Sequence, residues 1–290
     1  MKLVYCPIKG GNFGDDLNQW LWPKVFHGYP WPNEESTAFV GIGTILKLPA
    51  PTSSKKIVFG SGIWLPDQVP TIDETWDVRF LRGPVSQRYV ADGSLPFISD
   101  AAMAVALVKL PSVERRPTIG FMPHYVTSQV VDCERLCELA RLQYIDPQWP
   151  TQKTIDALRS CDRVITEAMH GAIVADAFRV PWCRISILCH KVAGPMAHSL
   201  KWLDWGMSLG VDVSSEEAFE LPRKTHRLPM LPLYWAERHF RAERLLTGLR
   251  KLRDSRKYCL SQDSQLSQVV SRLREEIDRM DTEYSTKQEL

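Results

Sequence analysis

His170 and Asp15 are the two residues whose type and setting best suit chemistry in this sequence. His170 follows the apolar pair Val164–Ile165 and opens a run of small residues, Gly171, Ala172, Ala175 and Ala177. That pattern reads as a short buried strand turning into a helix, with the imidazole at the helix N-terminus. Backbone N–H groups are unpaired there, and the helix dipole favours an anion. An imidazole beside an anion pocket is suited to proton transfer near neutral pH. A capping histidine packed against Gly171 would leave the same pattern.

Asp15 lies in the stretch Gly10-Gly11-Asn12-Phe13-Gly14-Asp15-Asp16-Leu17-Asn18. It falls between a strand expected at residues 2–6 and a helix expected at 19–26. Strand, glycine turn and helix is the layout that cradles phosphate, and glycines such as Gly14 let backbone approach a ligand closely. Two carboxylates in such a loop repel an anion, so Asp15 or Asp16 must cap the helix or act as a base. Asn12 is not needed for a cap and is a third polar candidate. Arg82 is expected at a strand end, either projecting into a crevice or held in a surface ion pair. His124 ends another expected strand, and His190 and Lys191 follow a strand expected at 183–188.

The elements that must position these groups follow a βα rhythm. Glycine turns end expected strands at 39–44 and 57–64, and Pro84 suits the first turn of a helix reaching Val90. Asp100 ends a further strand. In open α/β sheets, ligands sit beyond the carboxyl ends of the strands. Residues 110–117 have linker composition, with two prolines and three charges. The expected division is therefore 1–112, 113–234 and a helical tail, 235–290. In the second part, helices are expected at 129–142, 152–160 and 195–209, with strands at 142–145 and 211–213. In the tail, residues 235–257 set eight Arg and Lys around Trp235, Leu245, Leu246, Leu249 and Leu252. Such a helix either lies on an anionic membrane surface or packs across the protein with its basic face solvated. Residues 264–284 read as a helical hairpin or coiled-coil partner, fraying after Asp281.

With 290 residues, 44% of them hydrophobic, the chain can hold one large α/β domain or two of ordinary size. A formal charge of +2 argues against general nucleic-acid binding. Seven cysteines without a CxxC pair suit reduced thiols rather than a disulfide framework or a zinc site. No metal-ligand spacing is evident, so none is expected. No apolar run approaches the ~20 residues of a membrane span, and the N-terminus is too short for a signal h-region. A cytoplasmic protein is expected, at most peripheral on the inner membrane.

Residues 11–18, 81–86, 99–104, 119–125 and 166–181, taken in order, resemble the polysaccharide pyruvyltransferase family over about residues 1–210. The form Glu-Ala-Met-His-Gly-Ala at 167–172 and the run 201–205 are similar to the branch that modifies bacterial exopolysaccharides such as xanthan and succinoglycan. The resemblance implies an α/β fold with two Rossmann-like domains facing across a cleft, GT-B-like. It implies transfer of a pyruvyl group from phosphoenolpyruvate, with no cofactor, to a lipid-linked oligosaccharide acceptor. The product is a ketal across two sugar hydroxyls, and phosphate is released. The family's Asp in the first glycine loop matches Asp15, its Arg at a later strand end matches Arg82, and its His matches His170. Either Asp15 or His170 can be the acid and the other the base. Asn12, Gly14, Glu167 and Gly171 are expected at the substrate. The Arg that often stands two residues before the His is Ala168 here. Lys191 and Arg82 are the candidate replacements, with His190 or His124 in support. Two other readings fit less of this set: a GT-B glycosyltransferase using a nucleotide sugar, and a non-catalytic scaffold in a polysaccharide synthesis complex.

Overall fold

A computed structural model of the chain describes residues 1–29, 37–46, 55–188, 194–213, 217–218 and 232–285. The fold is α/β and is built on two all-parallel sheets. The first takes β1 (Lys2–Val4), β2 (Thr37–Val40), β3 (Lys55–Phe59) and β4 (Trp76–Phe80) in simple order. β2 is buried along its whole length and β3 at four of its five residues, as expected of parallel strands covered on both faces. Helix α1 (Phe13–Val25) packs Leu17, Leu21 and Trp22 onto this sheet. The Trp22 ring meets Phe39 edge-on at 5.2 Å.

Helix α1 starts six residues earlier than expected, inside the glycine loop. Asn12 is extended, and its backbone N–H donates to the Asp16 carboxylate at 2.9 Å. The amides of Asp15 and Asp16 both donate to the Asn12 carbonyl, closing the first turn. Helix α2 (Pro84–Tyr89) follows β4 with proline in its first turn, as expected. The expected strand around Asp100 is reduced to one parallel bridge, Leu81 to Phe97, before a 3-10 helix at Ala101–Leu107.

The second sheet holds β5 (Ile119–Met122), β6 (Gln143–Tyr144), β7 (Arg163–Thr166), β8 (Trp182–Ser186) and β9 (Glu217–Ala218). Their order is β6-β5-β7-β8-β9. This is the flavodoxin-like order, whose ligand crevice opens where the winding reverses, at the carboxyl ends of β5 and β7. The helices are α3 (Tyr125–Ser128), α4 (Cys133–Ala140), α5 (Thr151–Ser160), α6 (Met169–Ala177) and α7 (Pro195–Leu209). The single helix expected at 129–142 is broken because the Asp132 carboxylate caps a fresh start at Arg135 N. Residues 211–213 are not a strand. There α7 ends on Gly210 in the left-handed region, and the last strand comes later, at β9.

The 110–117 stretch carries no helix or strand and leads from the 3-10 helix to β5. One hydrophobic cluster joins the two halves, running from Phe13 and Leu17 of α1 through Ile155 of α5 to Ile173 of α6.

The tail is two helices, α8 (Pro232–Asp254) and α9 (Asp263–Ser285). The leucine stripe of α8 is not free to meet a membrane. Leu245, Leu246, Leu249 and Leu252 are buried with Leu136 and Cys137 of α4 and Ile185 of β8. The side chain of Trp235 lies outside the described set. Helix α9 is no free coiled-coil partner either, because Val269, Leu273, Ile277 and Met280 join the main core. It continues past Asp281, where fraying was expected to begin, to Ser285 with Tyr284 buried, and residues 286–290 lie outside the described set. The Asp281 carboxylate accepts from the amides of His27 and Gly28 at 2.9 and 3.3 Å. Among the described residues no helix is long and apolar enough to cross a membrane.

Candidate active site

The end of β7 and the start of α6 form one wall of the site. Thr166 Oγ1 accepts from Ala168 N at 3.1 Å and turns the chain into α6. Small residues let α6 lie close to the sheet. A Cβ on Gly171 would come within 2.5 Å of Thr166 Oγ1 and 2.8 Å of Met122 Sδ. Gly171 therefore has no room for a side chain where α6 meets the sheet. Glu167 is placed differently from expectation. It is fully buried, and its carboxylate accepts from His124 N at 3.0 Å and from Ile187 N and Leu188 N at 2.7 Å each. It clasps the carboxyl ends of β5, β7 and β8 at the winding reversal.

His170, one residue into α6, meets the first half of the chain. A Cβ on Gly14 would lie 2.1 Å from His170 Nδ1, so the α1 N-terminus touches the imidazole itself. The glycine loop reaches this position through two bonds to the second half. Phe13 N donates to Pro147 O at 2.8 Å, and Gln148 Nε2 donates to Gly10 O at 3.0 Å. Gly10 and Gly11 hold φ of 93° and 91°, a region open to glycine.

The two adjacent carboxylates divide their work. Asp16 serves the helix start, as described above. Asp15 faces the imidazole side, and Asn12 Nδ2 donates to its Oδ2 at 2.6 Å. Burial pushes the Asp15 carboxyl above the usual carboxylate range, while the Asn12 bond and the charges of His170 and Lys201 pull the other way. A carboxylate whose pKa is raised is a stronger base than a free one.

Asp100 was expected only as a strand end, with no role. Its Oδ1 stands 3.7 Å from His170 Nε2, and it is fully buried. The sequence signal was thin: an acid before Ala101-Ala102, as a helix cap would also give. His124 is held neutral, its pKa lowered to about 3 first by burial and then by the Lys201 charge. Its Nδ1 accepts from Val126 N at 3.4 Å, which leaves Nε2 as the donor. It can therefore donate a hydrogen bond from Nε2. Among the described residues, no group of three His, Cys, Asp or Glu is placed to hold a metal.

The sequence model of the polysaccharide pyruvyl transferase family matches residues 12–187. The chain belongs to that family. It is also 36% identical over 216 residues to the succinoglycan biosynthesis protein ExoV of Rhizobium meliloti (strain 1021). That alignment covers 73% of this chain and 66% of the relative, just under two thirds of its length. No solved structure matches.

The family match takes in Asn12, Asp15, Arg82, Asp100, His124 and His170, and stops before His190 and Lys191. His190 and Lys191 lie outside the described residues. Arg82, the expected family arginine, does not project into a crevice. It is fully buried, with Nε on Asp204 Oδ2 at 3.0 Å and Nη1 on Thr44 Oγ1 at 2.7 Å. Asp204 also accepts from Ser86 N at 2.9 Å and Ser86 Oγ at 2.5 Å. A buried guanidinium is stable only when so paired, and the pair fastens α7 to the first half. Asp204, inside the run 201–205 that the resemblance marked, is thus a structural residue. Lys201, three residues earlier on α7, acts electrostatically on both Asp15 and His124. It is a cation near this cluster, where residue 168 is alanine.

Proposed function

We propose that this chain transfers the pyruvyl group of phosphoenolpyruvate to two hydroxyls of one sugar in a lipid-linked exopolysaccharide repeat unit. The observation that carries this reading is the contact of Gly14 with His170. It places a carboxyl from one half and an imidazole from the other in a single cluster, next to a cation. Membership of the family supports the reaction class.

The donor carries about three negative charges near neutral pH. Lys201 offsets part of that charge, with the α1 and α6 N-termini and, from outside the described residues, Lys191 and His190. His170 as the imidazolium gives its proton to the donor's methylene carbon, which makes C2 electrophilic. Asp15 takes the proton of the first hydroxyl as its oxygen bonds to C2. Phosphate departs with the C2–O bond pair, and the second hydroxyl closes the ketal and loses its proton. Of the two hydroxyl protons, one replaces that spent from His170 and the other leaves on phosphate as its monohydrogen dianion. Each proton transfer of this kind is worth about 10²–10⁴-fold in rate.

Ligand-induced thermal shift tests the donor. Phosphoenolpyruvate should raise the melting temperature as it binds the folded state, and nucleotide sugars should not. The reverse pattern would favour a glycosyltransferase, and a response to neither would favour a scaffold.

A further inference from the structure

We propose that Asp100 is the positioning residue for His170, holding the Nε2–H and leaving Nδ1 as the nitrogen that exchanges protons at the site. This rests on the reading of His170 as the proton donor and adds which nitrogen does the work and what fixes it.

Two side chains here each carry a buried polar atom without a partner. Asp100 Oδ2 and His170 Nε2 both lack a hydrogen bond, and Asp100 Oδ1 is 3.7 Å from that Nε2. Buried unsatisfied groups are uncommon in folded proteins and call for an explanation. Asp100 cannot swing away, because its Oδ1 accepts from Ala102 N at 3.0 Å and caps a 3-10 helix whose first five residues are buried. The imidazole cannot retreat on its other edge. A Cβ on Gly14 would lie 2.1 Å from Nδ1 and 2.9 Å from Cε1. The ring is therefore held between a carboxylate facing Nε2 and the α1 N-terminus facing Nδ1.

A gap of 3.7 Å is longer than a formed hydrogen bond, but catalytic bonds tighten when substrate binds. With the Nε2–H aimed at Asp100, the transferable proton sits on Nδ1. That proton passes to the donor carbon, while Asp100 stays ionised and takes no proton. Asp100 touches no substrate in this scheme.

The test uses the full chain and two measurements. Asp100→Asn keeps an oxygen for Ala102 N and removes only the charge. We expect kcat to fall about 100-fold or more, with the melting temperature held within about 2 °C, less than ~1 kcal/mol of stability would shift it. KM for phosphoenolpyruvate should stay level or drop, since a negative charge near an anionic donor is gone. An unchanged kcat, or a loss explained by a lower melting temperature, would make Asp100 a simple helix cap. The second measurement needs no turnover: ¹⁵N NMR of histidine-labelled protein without ligand, with His170 assigned through His170→Gln. The neutral ring should carry its proton on Nε2 in the wild type. A wild-type ring protonated on Nδ1 would overturn the proposal. If the wild type shows the expected tautomer but does not turn over phosphoenolpyruvate, the proposed reaction fails and the positioning role stands.

Discussion

Gly14 and His170 touch across the two halves of the chain, with only 2.1 Å between the ring Nδ1 and the place a Cβ on residue 14 would take. Any side chain at 14 must displace the imidazole or lift the α1 N-terminus away from it. Gly14→Ala favours the helix by up to ~1 kcal/mol through propensity alone. It should nevertheless lower kcat by about 100-fold, because a displacement of about 1 Å at a catalytic group costs that much. Steady-state kinetics beside a melting curve check this. A fully active Gly14→Ala enzyme would mean that the contact has no part in turnover.

Neighbouring carboxylates should respond differently to the same change. Asp15→Asn removes the group that faces His170, and we expect a kcat loss of roughly 10²–10⁴-fold. Asp16→Asn weakens the bond to Asn12 N at the helix start and removes a charge that acts on Asp15. It should cost about 1 kcal/mol of stability and leave kcat within roughly tenfold. Equal losses in both variants would contradict the division of roles.

Arg82 should behave as a structural residue. Arg82→Met leaves Asp204 buried without its counter-charge, at a cost of about 3–5 kcal/mol. Denaturant unfolding measures it. Combining Arg82→Met with Asp204→Leu should destabilise by less than the sum of the single variants, since the uncompensated charge is gone. A stable Arg82→Met protein whose only defect is a raised donor KM would restore Arg82 to direct donor binding.

The pH dependence of stability follows from His124, whose pKa of about 3 lies below its ordinary 6.5. Between those values the unfolded chain binds the extra proton and the folded chain does not. This contribution to stability is fully present above about pH 6.5 and is lost as the pH falls toward 3. Asp15, shifted upward, works in the opposite sense over the lower part of that window. His124→Gln should therefore flatten the fall in melting temperature between about pH 6 and 4. An acid limb as steep as the wild type's would assign the effect to other groups.

Local pattern carried the sequence reading a long way where chemistry and secondary structure coincide. The place of His170 at a helix start was legible because an apolar strand runs directly into small helical residues. Asp15 was legible because a glycine turn separates a strand from a helix. Glu167 and Gly171 share that neighbourhood but serve backbone clasping and close packing, which spacing along the chain does not distinguish from ligand contact. Asp100 and Lys201 are 70 and 31 residues from His170, and only the fold brings them into one cluster. Arg82 illustrates the same gap, since its partner Asp204 lies 122 positions away. In the tail, the apolar stripe of α8 was visible in the sequence, but the surface it covers was not. Leucines every three or four residues suit a membrane and a protein core equally well. Here the core takes Leu245, Leu246, Leu249 and Leu252.

The most direct measurement follows the transferred carbon atoms. Phosphoenolpyruvate labelled with ¹³C at C2 is incubated with the protein and a lipid-linked oligosaccharide mixture, and the glycans are analysed by mass spectrometry. The account predicts one glycan heavier by a single labelled pyruvylidene unit, with equimolar phosphate released and neither product formed by His170→Ala. A glycan that gains a hexose from a nucleotide sugar, with no labelled carbon incorporated, would contradict it.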